Sequence, residues 1–238
     1  MSAPSFIVQG SGLPERVVAL PVRTPLIRNG DDLAAFTARC VAGIAGPQDV
    51  ICISETAVAI AQGRSIAAEA IRPSALARFL AEHAGPYSTV SQAESMQLVM
   101  ENAGALRVLT AAAANVAGRL VGRRGDFYRL LGPAVAEIDG YTGTLPPYER
   151  HIVFGPLDAP AVAASIALAC AAHAAVVDAN DLKKAQVLGA SEGVDEAAVR
   201  AGLLHNPHGN ADEQTPLVVL KYRPRRGSPA HSPLLKAC

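Results

Sequence analysis

Three oxygen-bearing side chains stand in one short run, Asp178-Ala179-Asn180-Asp181, directly after the apolar residues Ala175, Val176 and Val177. An apolar, β-branched run of that kind reads as a buried strand, so the acidic residues fall at the carboxyl end of a sheet, where α/β proteins place ligands. Carboxylates and amide carbonyls are hard oxygen donors. They suit Mg2+ or Mn2+, which take one or two carboxylates and complete their shell with water and phosphate. The bland alternative is an Asx turn in which Asn180 bonds its own backbone. Asp139, between Ile138 and Gly140, is the second candidate, because glycine lets a backbone approach a ligand closely; a solvated turn aspartate is its alternative. Convergence of the two segments would give a metal site of Asp139, Asp178 and Asn180.

Other residues offer recognition rather than metal chemistry. Gly30-Asp31-Asp32 presents backbone donors and carboxylates, and the same residues serve equally to cap a helix. Gln62-Gly63-Arg64 and Gly122-Arg123-Arg124-Gly125 set guanidinium groups beside flexible backbone, a combination suited to phosphate or carboxylate or to a solvated turn. His205 and His208, separated by Asn206-Pro207, lie in a loop and read as surface residues. The sequence has no GxxxxGK[ST], no GxGxxG between a strand and a helix, no GxSxG and no HExxH. P-loop hydrolysis, Rossmann cofactors and the common hydrolase and zinc-protease chemistries therefore lack support.

The elements that must position these residues alternate between strand and helix. Residues 16–22 read as a strand, Asp31 or Asp32 caps a helix bearing Leu33, Phe36, Val41 and Ile44, and residues 50–53 form a buried strand delivering Ser54. Pro73-Ser74 opens a short helix, and Ser91 with Glu94 has the spacing of a capping box. Residues 106–116 and 127–131 read as strands joined through the glycine-bounded turn at 122–126. A long loop, 139–148, leads to a strand at 151–154; a helix follows Asp158, another follows Asp195, and residues 216–220 supply a last strand. The expected fold class is α/β, a mixed sheet in two lobes, with an extension at 1–15, one domain at 16–223 and a mobile tail at 224–238.

Composition narrows the partners. Half of the 238 residues are hydrophobic, 18% are charged, and Lys+Arg and Asp+Glu both number 21. A zero balance argues against nucleic acid, whose binders carry a basic excess. Of the four cysteines, Cys40, Cys52 and Cys170 sit in apolar runs and read as buried free thiols; Cys238 is the fourth. No signal peptide or membrane span is legible, which makes the cytoplasm the expected location.

The ordered series of segments resembles the coenzyme F(420)-0:γ-glutamyl ligase family, in particular its divergent ligase-like branch. It runs from Pro25-Leu26-Ile27-Arg28-Asn29-Gly30-Asp31-Asp32 through Val50-Ile51-Cys52-Ile53-Ser54 and Gln62-Gly63-Arg64 to Ile138-Asp139-Gly140 and Leu145-Pro146-Pro147. Val176-Val177-Asp178 and Asp212-Glu213-Gln214-Thr215-Pro216 complete it, and the series spans residues 24–222. The resemblance implies a two-lobed homodimer that joins a glutamate amine to a small-molecule carboxylate through an acyl phosphate, using GTP and Mg2+ or Mn2+. It also implies that Asp139 and Asp178 match the metal-binding motifs, while Gly30, Asp31, Asp32, Ser54, Gly63 and Arg64 line the ligand cleft. Departures accompany it: Thr56 and Ile60 stand where coenzyme-making members carry lysines, Gln62 replaces a glutamate, and Lys183 and Lys184 replace an arginine-bearing segment. A repurposed ligand-binding homologue is the alternative those departures imply.

Overall fold

A computed structural model of the chain describes residues 6–8, 15–84, 89–123, 125–132, 138, 146–180, 183–209 and 213–224. Its main sheet has six strands in the order β1-β2-β8-β3-β6-β7. In chain order these are β1 (Phe6–Val8), β2 (Glu15–Val22), β3 (Val50–Ser54), β6 (His173–Asn180), β7 (Lys184–Ala190) and β8 (Leu217–Pro224). The sheet is mixed: β3 pairs parallel with β6, whereas β8 runs antiparallel between β2 and β3. A second, two-stranded sheet joins β4 (Ser65–Ala67) to β5 (His151–Val153).

Period-two alternation sorts the central strands onto two cores. Ile51, Ile53, Ala174, Val176, Leu217 and Val219 face one side, against α1 (Leu33–Val41), α2 (Glu55–Ala61) and α7 (Ala159–Cys170). Val50, Cys52, Ala175, Val177, Val218 and Leu220 face the other, against α8 (Glu196–Leu203). A third core is separate and mostly helical. It is built on α3 (Ala75–Glu82), α4 (Ala93–Ala103), α5 (Ala105–Leu120) and α6 (Asp126–Leu131), with Ile138 and Ile152 packed among them. The α/β class and the mixed sheet agree with the sequence reading.

Local signals explain most elements. Asp32, Ser74, Asp158 and Asp195 cap α1, α3, α7 and α8 by accepting first-turn backbone N–H groups. Two expectations are corrected in the helical lobe. Residues 106–116 lie within helix α5, not a strand, because Val108, Ala111 and Gly118 recur at helical spacing and bury one face, while the alanines favour helix. Residues 127–131 are likewise helical, with Phe127 and Leu131 at i,i+4 buried on one face. The capping-box expectation also fails: Ser91 belongs to a 3-10 turn, and the N-cap of α4 is Gln92. Of the thiols, Cys52 is buried, whereas Cys40 and Cys170 are only partly so; all three are free, and Cys238 lies outside the described residues.

Candidate functional site

Because β3 and β6 are parallel, their carboxyl ends open on the same edge of the sheet, and Ser54 pairs in register with Val177. Asp178 follows immediately. Strand β6 continues two residues beyond it, so Asp178 pairs with Gln186 and Asn180 with Lys184 in the antiparallel ladder with β7. Asp178, Ala179 and Asn180 thus belong to the strand itself, which runs two residues past Asp178, and Asn180 sits in the ladder and not in an Asx turn. Residues directly opposite share a face. Asp178, Asn180, Lys184 and Gln186 therefore form one polar quartet, and since Val177 faces α8, the quartet looks to the side that carries α1, α2 and α7.

Asp178 is half-buried, and among the described residues its carboxylate has no hydrogen-bond or ion-pair partner. Burial pushes its pKa above the usual carboxylate value. Unfavourable ionisation with no compensating group is the pattern expected of a carboxylate kept for a ligand. Asn180 lies two positions on, and period two puts its amide on the same face. A carboxylate and an amide carbonyl are a fitting start for Mg2+ or Mn2+, whose remaining ligands come from water and phosphate. Among the described residues no cluster of three His, Cys, Asp or Glu side chains could hold a metal by itself. Asp139 and Asp181 lie outside the described residues, so their position relative to Asp178 is not part of the structure.

The predicted recognition residues assemble around α2. Ser54 caps this helix, accepting from the Ala57 N–H at 3.4 Å. At its far end the Gly30 N–H donates to the Ala61 carbonyl at 2.8 Å, docking the 28–32 turn on the helix. Gly63 has φ +70, and a Cβ there would stand 2.7 Å from Asn29 Oδ1, so glycine is what lets the two segments touch. Within the turn, Asp31 accepts from the Arg28 N–H at 2.7 Å, and Asp32 is spent on capping α1. Arg64 donates through Nε to the Gly155 carbonyl at 2.6 Å, with its guanidinium carbon 5.6 Å from the centre of the Phe154 ring. The structure thus brings Gly30, Asp31, Asp32, Gly63 and Arg64 together and puts Ser54 at the strand end beside Asp178.

Other expectations are displaced. Arg123 bonds Asp126 at 3.1 Å, and Arg129 reaches the same oxygen at 2.6 Å, so Arg123 serves a nearly buried carboxylate, not a phosphate. Arg124 lies outside the described residues. His208 is buried, which corrects its surface reading: its Nδ1 lies 3.0 Å from the Thr215 carbonyl, and its Nε2 has no hydrogen-bond partner among the described residues. Burial lowers its pKa to about 4. The imidazole is therefore neutral when folded but protonates near 6.5 when unfolded, so the unfolded chain takes up the proton first. Stability falls as pH drops from about 6.5 to about 4, by a total of about 3 kcal/mol, and levels off below. Urea unfolding of wild type and His208→Gln across that range checks this; the variant is expected to lose the step.

Sequence reading missed the clamp made by Gln62. Its amide donates to the Leu157 carbonyl at 2.8 Å and accepts from the Leu157 N–H at 2.7 Å, tying α2 to the segment after β5. No local signal marks it, since the partner is 95 positions away. A glutamate accepts from the N–H but meets the carbonyl with a second oxygen. Gln62→Glu is therefore expected to cost about 1 kcal/mol, the exposed setting keeping it near the low end, with the loss read as a lowered melting temperature.

The family model described as F420-0:Gamma-glutamyl ligase matches residues 21–204, more than three-quarters of the chain. The chain belongs to this ligase family. Comparison with individually curated proteins finds no match. The match takes in the Gly30 turn, the Ser54 strand end, Gly63-Arg64 and Asp178, and stops before β8. Membership gives this F420-0:γ-glutamyl ligase relative a ligase-like function on small-molecule substrates. Among its described residues no helix is long and apolar enough to cross a membrane.

Proposed function

We propose that this chain is a metal- and GTP-dependent ligase that joins an amino acid such as L-glutamate to a carboxylate substrate, working as a cytoplasmic homodimer. The observation that carries this reading is Asp178: half-buried, unpartnered among the described residues and raised in pKa, at the sheet edge the family match covers. Asp178 and Asn180, with Asp139, would hold Mg2+ or Mn2+, which neutralises charge on the transferred phosphoryl group when bound. A substrate carboxylate oxygen attacks the γ-phosphorus and the bond to the β-phosphate oxygen breaks, releasing GDP. The amine then attacks the acyl phosphate carbon, phosphate leaves, and the amine surrenders a proton.

This chain's own groups position those reactants. On this reading the turn at Gly30, Asp31 and Asp32, with Gly63 and Arg64 docked beside it, and Ser54 at the strand end would line the ligand cleft. Lys183 and Lys184, both exposed at the β6–β7 turn, supply the positive charge nearest Asp178 along the chain. A second reading, a ligand-binding relative without phosphoryl transfer, is favoured by one observation: Ile60 is 5% exposed, so one position of a family lysine is here part of the core. Phosphate release in the presence of GTP, Mn2+, L-glutamate and a panel of carboxylates separates the two. Release that needs both acid and amine is expected; binding of GTP without release under every condition supports the second reading.

A further inference from the structure

At the sheet edge of the candidate site, one short segment holds the ends of two strands. Leu217, the first residue of β8, stands between Val22 of β2 and Ile53 of β3. The residues just before it bond to both neighbouring chains. The Pro216 carbonyl accepts from the Ser54 N–H at 2.9 Å. Gln214 holds Thr24 twice: its carbonyl accepts the Thr24 N–H at 3.1 Å, and its Nε2 donates to the Thr24 carbonyl at 2.6 Å. Thr24 leads into the turn at Gly30, Asp31 and Asp32, and Ser54 opens α2 beside the rung that precedes Asp178. Gln214 makes its bonds at φ +53, a left-handed conformation that persists in a non-glycine residue only where the surrounding structure over-determines it.

We infer that His208 is a positioning residue for this site, acting through Thr215 on Ser54 and on the 24–32 turn. Thr215 lies between the two bonding residues. Its carbonyl can only accept, so His208 Nδ1, 3.0 Å away, carries the proton and donates. The Thr215 hydroxyl returns the bond to the His208 carbonyl. These reciprocal bonds join residues seven positions apart, and His208, Thr215 and Thr24 are all buried, away from water that could replace a lost partner. Gly209 permits the closure: at φ +75, a Cβ there would stand 2.5 Å from the Glu213 carboxyl carbon. The tie needs a donor at the Nδ1 position and makes no use of Nε2, which has no hydrogen-bond partner among the described residues. Without that donor the Thr215 carbonyl loses its partner in a buried setting, and the segment that registers two strand ends against each other loses its anchor. The tie lies beyond residue 204, where the family match ends.

The effect on nucleotide rests on the function proposed above; the effect on Ser54 and Thr24 does not. Amide hydrogen exchange of the full chain by NMR, beside titration of GTP with Mn2+, reads both. An asparagine amide nitrogen takes the place of Nδ1, a glutamine amide reaches to the Nε2 position instead, and leucine supplies no donor. His208→Gln and His208→Leu are expected to speed exchange of the Ser54 and Thr24 amides by about tenfold relative to those of Ile51 and Val176, buried in mid-strand, and to weaken GTP binding by a similar factor, as loss of one buried hydrogen bond implies. His208→Asn is expected to restore most of both. Thr215→Val, which cuts the same tie from the other side, should repeat the pattern of the leucine variant. Exchange that accelerates equally at all four amides, Asn and Gln variants that behave alike, or local acceleration with GTP binding unchanged overturns the assignment. Local acceleration in a chain whose wild type binds no GTP upholds the tie and overturns the function proposed above.

Discussion

Asp178→Asn is expected to raise the melting temperature at neutral pH and to remove metal-dependent nucleotide binding, two effects of opposite sign from one exchanged atom. The first follows from burial. Ionised Asp178 is disfavoured in the folded chain, so its raised pKa means the folded state holds the proton more tightly than the unfolded state. The penalty is absent below the ordinary carboxylate pKa, grows as pH rises towards the raised value and is constant above it. Asparagine keeps the shape without the charge, so its advantage shrinks as the medium is acidified. The second effect follows from losing a hard anionic donor: binding in the presence of Mn2+ should weaken by more than the ~10- to 100-fold that loss of a mere outer-shell partner costs. Asp178→Ala should share the second effect. Thermal melts across the acidic range, beside nucleotide titrations of the same samples, read both.

Gly189→Ala is expected to destabilise the fold by about 3 kcal/mol or more. Gly189 lies in β7 opposite Val176, at the irregularity in the β6–β7 ladder. A Cβ there would stand 2.3 Å from the Pro160 nitrogen and 2.4 Å from the Ala159 carbonyl carbon, backbone atoms at the start of α7 that cannot swing aside. The close approach packs α7 against β7, the neighbour of the strand that carries Asp178, so the substitution should also weaken nucleotide binding beyond what unfolding accounts for. Denaturant midpoints give the first quantity, and titration of the remaining folded fraction gives the second.

What the sequence disclosed depended on whether the deciding interaction was local. The caps at Asp32, Asp158 and Asp195 lie within three residues of the N–H groups they satisfy, so α1, α7 and α8 were legible from side-chain type alone. The run 50–53 was legible as a buried strand because four successive apolar residues, three of them β-branched, fit between two covered faces. Helix α5 was not, because apolar residues on both its faces hide the helical period that one-sided burial would show.

The site divides in the same way. Asp178 was legible because an apolar strand leads straight into it, yet its place within the β6–β7 ladder depends on Gln186, which only the fold supplies. The docking of Gly30 on Ala61 and the clamp from Gln62 to Leu157 join segments distant in sequence, and no spacing rule announces them. His208 read as a surface loop residue because proline and asparagine precede it; burial came from Thr215, brought back by β8.

On the proposed function Asp178 anchors a divalent metal on which nucleotide binding depends. Isothermal titration of GTP into the full chain with and without Mn2+, repeated on Asp178→Ala, tests it most directly. Saturable GTP binding to wild type that requires Mn2+ and is lost in the variant is the expected result. GTP binding of equal strength in both proteins, or binding by neither, contradicts it.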